Sequence, residues 1–135
     1  MIREAAAEDI PKLCVLGKRF HETAELGGVF CDGVFWQFCE YLIREDTGVI
    51  FMSDKGMIGG LKCPAFWDST YHIARECFWW SEDGQGRALK AAYEEWADDA
   101  DEVRMGFLYG KNMRPHVVAR MFPGYVAAET EMVKA

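Results

Sequence analysis

Residues 71–97 read YHIARECFWW, then SEDGQGR, then ALKAAYEEWA. The first ten are rich in aromatic and β-branched side chains, which suits a buried strand. In the last block Leu89, Ala92, Tyr93 and Trp96 recur at helical spacing and give one apolar face. Between them Ser81-Glu82-Asp83-Gly84-Gln85-Gly86-Arg87 carries two glycines. A turn from a strand into a helix aims unpaired N–H groups at one point, and the helix dipole adds positive potential there. Gly84-x-Gly86 also reads as an Asp-Gly tight turn that only reverses the chain. The strand on one side and the amphipathic helix on the other favour the anion-binding reading.

Strand, G-x-G turn, amphipathic helix and a further strand over residues 102–109 resemble the acyl-CoA-binding core of the GNAT superfamily of N-acetyltransferases. The family's turn is written Arg/Gln-x-x-Gly-x-Gly/Ala; this chain matches both glycines and has Ser81 at the opening position. Ile2-Arg3-Glu4-Ala5 with Glu8-Asp9-Ile10 resembles a GNAT start, and Asn112 with Gly124-Tyr125 resembles the family's ending. Glu76-Cys77-Phe78-Trp79-Trp80 with Glu95-Trp96-Ala97 is most similar to small members encoded by phages and prophages. The resemblance implies acetyl-CoA as co-substrate and an amine acceptor, either a small molecule or a protein. It places the co-substrate against Phe78, Trp79, Trp80, Gly84, Gln85, Gly86, Arg87, Ala88 and Asn112.

The length suits one domain over residues 1–135, which the resemblance makes acetyltransferase-like. Half the residues are hydrophobic, enough for a packed core. Lys and Arg number 15 against 22 Asp and Glu, a net charge of −7 that repels nucleic-acid backbones and suits a basic acceptor or plain solubility. The five cysteines match no C-x-x-C pattern and the three histidines do not pair with them at ligand spacing, so no metal is expected. Cys14, Cys39 and Cys77 read as small buried hydrophobes. No apolar stretch resembles a leader or reaches membrane-spanning length, which points to the cytoplasm and no membrane partner. A homodimer stays among the expected partners.

Along the chain, residues 2–4 suit an edge strand. Ile10, Leu13, Cys14, Gly17 and Phe20 form one helical stripe, and Phe35, Phe38, Cys39 and Leu42 a second. Residues 48–53 and 57–63 flank Asp54-Lys55-Gly56 as a hairpin, and 64–70 read as a loop whose Phe66 and Trp67 pack over the sheet edge or touch substrate. A short helix over 117–121 and a last strand over 125–133 complete a mixed α/β fold. Its central sheet is mostly antiparallel, contains one parallel β-α-β unit, and is flanked by about four helices.

Acyl transfer to an amine requires proton removal, because a lysine-like ammonium has a pKa near 10.4. Glu76 on the central strand is the candidate base. It alternates with Phe78 and Trp80, and such apolar surroundings raise a carboxyl pKa; a structural ion pair is its other reading. The oxyanion donor falls to a backbone N–H near residues 78–80. Many GNAT proteins place a tyrosine four residues before the closing Gly-Phe/Tyr pair. Here that position is Arg120, and Tyr109 at the end of the next strand is the candidate acid.

Overall fold

The computed structural model describes residues 1–107, 115–128 and 134. The elements run β1 (Arg3–Glu4), a 3-10 turn (Ala7–Asp9), α1 (Ile10–Thr23), α2 (Asp32–Arg44), β2 (Gly48–Ser53), β3 (Gly56–Ala65), β4 (Asp68–Ser81), α3 (Gly86–Trp96), β5 (Glu102–Arg104) and α4 (Pro115–Met121). Among the described residues the five strands lie in chain order, antiparallel except for the parallel pair β4 and β5. This is the mixed, mostly antiparallel sheet expected from the sequence.

Strand alternation assigns the two faces. Ile50, Met52 and Met57 point toward α1 and α2, where Ile10, Leu13, Cys14, Leu16, Cys39 and Leu42 complete a core. Phe51 and Ile58 point the other way, toward Leu89 and Tyr93 of α3 and Ala97 just after it. Burying each such aliphatic side chain stabilises the fold by ~1.5–3 kcal/mol. The start of α1 is tied to β1 by the Arg3 guanidinium on Asp9, at 2.6 and 2.7 Å. That pairing and the Ala6 N–H hold the Asp9 carboxyl down at about 2.

Gly59 and Gly60 on β3 let the two layers approach the sheet. A Cβ on Gly59 would stand 2.6 Å from the Phe78 ring, and one on Gly60 2.7 Å from the Tyr93 ring and 2.9 Å from Trp96. Gly60→Ala is therefore expected to destabilise the protein by ~1–3 kcal/mol through overpacking. Urea unfolding should show a lower midpoint with an unchanged slope.

Three expectations need correction. Residues 64–70 are strand almost to the tip, because the hairpin ladder continues from Pro64↔His72 to Ala65↔Asp68. Phe66 and Trp67 alone form the turn, and at 97% and 61% exposure they stand in solvent instead of covering the sheet edge. The strand over 102–109 ends at Arg104; 105–107 are irregular, and 108–109 fall outside the described residues. Residues 125–128 are likewise not strand, and 129–133 fall outside the description.

Candidate functional site

The turn after β4 is held by Asp83. Its Oδ2 accepts hydrogen bonds from the Ser53 hydroxyl (2.8 Å) and the Lys55 N–H (2.9 Å). Its Oδ1 accepts from the Ser81 hydroxyl (2.9 Å) and the Gln85 N–H (3.3 Å). Burial pushes this carboxyl up, but the four donors outweigh it and hold it at about 2. The β2–β3 turn and the glycine turn are thus fastened through one carboxylate. Arg19 of α1 adds a second tie, to Glu82 at 2.8 Å.

Asp83→Ala is expected to cost about 2–3 kcal/mol, since the bonds are charge-assisted and leave buried donors behind. The sign with pH follows from the lowered value. The carboxylate's contribution is present above the unfolded-state pKa near 3.8 and is lost as pH falls through about 2. Urea midpoints measured down that acid range should therefore fall less steeply in the variant than in the wild type.

Above Asp83 the chain enters α3. Gly84 has φ +73°, a conformation that glycine adopts without strain. The first helical N–H groups, on Gly86, Arg87 and Ala88, have no partner within an α-helix by geometry. They converge on the open end, and a Cβ on Gly84 would meet nothing within 4 Å. The Gln85 N–H is not among the available donors, because Ser81 and Asp83 already take it. The Trp79 indole N–H donates to the Gly86 carbonyl at 3.1 Å and so braces the helix start. The Arg87 side chain leans on α4, with Nε 3.4 Å from Met121 Sδ.

Beside the turn, β4 and β5 part. They pair over Ile73↔Glu102, Ala74↔Val103 and Arg75↔Arg104. From Glu76 to Ser81 the β5-facing edge of β4 has no strand partner among the described residues. Glu76 sits at the fork, where its Oε1 accepts the Gly106 N–H at 3.1 Å. Burial raises its carboxyl pKa, and the Gly106 hydrogen bond opposes the rise.

The burial of Glu76 has a different origin from the one expected. A register shift pairs Gly59 with Phe78 and Gly60 with Glu76, leaving Cys77 as an extra residue in β4. Such a bulge breaks the period of two. Glu76 therefore shares the α3 face with Gly60, whereas Phe78 and Trp80 pack on the α1–α2 face. Cys77, expected to be buried, is exposed at the bulge, while Cys14 and Cys39 are buried. Burial pushes the Cys39 thiol up to about 12.

The structure thus gathers Trp79, Gly84, Gln85, Gly86, Arg87 and Ala88 around one turn, with Glu76 further back at the fork. The Phe78 side chain is core, against Phe35 and Phe38. Trp80 stacks on Phe20 at 5.3 Å, and its buried indole N–H has no hydrogen-bond partner among the described residues. Only the main chain of these two residues can face the fork. Tyr109 and Asn112 lie outside the described residues. Sequence reasoning missed Asp83 and the hydroxyl of Tyr93. A capping-type acid between Ser81 and the helix start was the available signal for Asp83; Tyr93 carried none beyond its place on the apolar stripe. Among the described residues no group of three or more His, Cys, Asp or Glu is arranged to hold a metal, and no helix is long and apolar enough to cross a membrane.

No family model matches the chain, and no curated protein sequence matches it. Solved structures do. A predicted acetyltransferase from Clostridium acetobutylicum, solved with acetyl-CoA, superposes with a TM-score of 0.73 at 13% identity, over 99% of this chain and 95% of that one. An aminoglycoside acetyltransferase from an uncultured soil metagenomic sample, in complex with trehalose, gives 0.71 at 14%, over 100% and 95%. A transcriptional regulator from Bacillus halodurans gives 0.66 at 13%, over 100% and 98%. The chain has the fold of the GNAT acetyltransferases.

Proposed function

We propose that this protein is an acyl-CoA-dependent N-acetyltransferase that moves an acetyl group from acetyl-CoA to an amine. The observation that carries this reading is the glycine turn, with the open N–H groups of Gly86, Arg87 and Ala88, set beside a strand pair that forks at Glu76. The residues fit the co-substrate. The turn offers main-chain donors to a pyrophosphate, and the Asp83 carboxylate is engaged with Ser53, Lys55, Ser81 and Gln85, so it does not stand free on the approach. Bound there, acetyl-CoA supplies the thioester and a thiol leaving group.

The chain's own residues supply the rest. Glu76, with its raised pKa, accepts the proton of the incoming amine. A main-chain N–H of β4 near residues 78–80 donates to the developing oxyanion. Asn112 and Tyr109 keep their places as co-substrate contact and acid. A thiol pKa near 8.5 makes the leaving group tolerable even with weak acid help. The net charge of −7 favours a cationic acceptor, a small amine or a lysine-bearing protein. The sequence resemblance supports a small phage-type enzyme; we place it in the cytoplasm as one domain and keep a homodimer among its candidate assemblies.

A second reading rests on Arg120. It stands where the family's tyrosine is usual, and a guanidinium does not give up a proton near neutral pH. On that reading the protein binds a host or virion partner and does not turn over. Intact-mass spectrometry of a broad amine and protein panel after incubation with acetyl-CoA decides. An acetyl increment on any acceptor supports the enzyme. None on the whole panel favours the binding protein.

A further inference from the structure

Where β5 leaves β4, two side chains hold its main chain. Tyr93 of α3 donates its hydroxyl to the Arg104 carbonyl at 2.8 Å, and two residues on the Gly106 N–H goes to Glu76. Arg104 is the last residue paired with β4. Tyr93 is fully buried, and its ring lies where any side chain on Gly60 would have to be. The ring is thus clamped between α3 and β3, and its hydroxyl has a fixed position. Burial pushes that hydroxyl well above the usual tyrosine range, so it remains a donor at any physiological pH.

We propose that Tyr93 is a positioning residue: with Glu76 it fixes the angle at which residues 105–107 leave the sheet, and so sets the width of the fork that opens beside β4. Two hydrogen bonds at neighbouring points, one at the end of β5 and one just beyond it, determine a direction as well as a place. Beyond Gly106, Phe107 meets the ring of Phe122 at 5.7 Å. The part that concerns acetyl-CoA rests on the functional reading above; the part that concerns the fork does not.

The test is residue-resolved amide hydrogen exchange on the unliganded full chain, wild type against Tyr93→Phe. Phenylalanine keeps the ring against Gly60 and removes only the hydroxyl. Exchange at Gly106 is expected to speed up about tenfold, as losing the hydroxyl's bond to the Arg104 carbonyl lets the Gly106 N–H leave Glu76, with Leu13 and Leu42 in the opposite core unchanged. Equal exchange at Gly106 in the two proteins overturns the proposal. So does an acceleration of the same size throughout the chain, which would make the hydroxyl a general stability contact. A second arm measures acetyl-CoA affinity, with Ile50→Val as a control that loosens the other face of the sheet. The Kd is expected to weaken about tenfold in Tyr93→Phe and to hold in Ile50→Val. Wild-type affinity in Tyr93→Phe overturns the role in setting the fork's width for the co-substrate. If the wild type itself fails to bind acetyl-CoA, the functional reading falls, and the exchange arm still decides the role of Tyr93.

Discussion

Gly86→Val is expected to leave the unliganded protein folded and to abolish the rise in melting temperature expected of the wild type with acetyl-CoA. The two halves have separate causes. In the fold, a Cβ on Gly86 would meet Ser81 Cβ and Trp79 Nε1 at 3.9 Å, ordinary contact distances. Gly86 is not among the glycines with positive φ, so a side chain adds no backbone strain. Gly84 is different: its φ of +73° makes any substitution there cost ~1–2 kcal/mol before a ligand is considered. In the complex, a phosphate must reach the main-chain N–H groups of 86–88, and a β-branched side chain stands on that approach. A ligand at about a hundred times its Kd stabilises the wild type by ~2.7 kcal/mol. Gly86→Ala, with the smaller side chain, should keep part of that shift. A full shift in Gly86→Val would remove the turn from the site, and a wild type unmoved by excess acetyl-CoA would remove the co-substrate itself.

The fold was legible wherever one period governed one face. The stripe Ile10, Leu13, Cys14, Gly17 lies on the buried side of α1, and Leu89 and Tyr93 lie on that of α3, as their spacing required. The glycine turn was legible because glycine carries its own backbone signal. Legibility failed where a single residue broke a period or where a bond joined distant parts. The extra residue at Cys77 reverses the alternation along β4, and no side chain announces it. Phe78 and Trp80 were consequently placed beside Glu76, although they pack on the opposite face. Asp83 binds residues near 53–55, some 30 positions earlier, and local pattern does not reveal such a partner. The end of β5 at Arg104 is met by the Tyr93 hydroxyl from α3 and, two residues on, by Glu76 from β4, and such contacts too are tertiary. The hairpin tip shows the reverse error: Phe66 and Trp67 are apolar enough to suggest burial, yet the β3–β4 ladder runs on and carries them outward.

Glu76→Gln separates the hydrogen bond that Glu76 accepts from the Gly106 N–H from the proton it is proposed to take. Glutamine keeps an amide oxygen that can accept the Gly106 N–H, so the fork should stay pinned; what it loses is the ability to take a proton. Turnover is expected to fall by ~10²–10⁴-fold, most steeply at low pH. At high pH the amine arrives already deprotonated, the need for a base fades, and the two proteins should converge. Stability should move in the opposite direction. Burial raises the Glu76 carboxyl pKa above its usual 4.5, so the folded chain holds its proton more tightly than the unfolded chain does. Stability therefore falls as pH rises from the unfolded value through the folded one, and above both the buried charge remains a constant cost. Glutamine carries no charge and escapes that cost. Urea midpoints should be higher for the variant at neutral pH, and the gap should close as the pH is lowered into the carboxylate range. A slower enzyme with a more stable fold is the expected mark of a buried base. Uniform loss of turnover at every pH, with a lower midpoint, would instead assign Glu76 to holding Gly106 alone, and the proton would have to leave by another group.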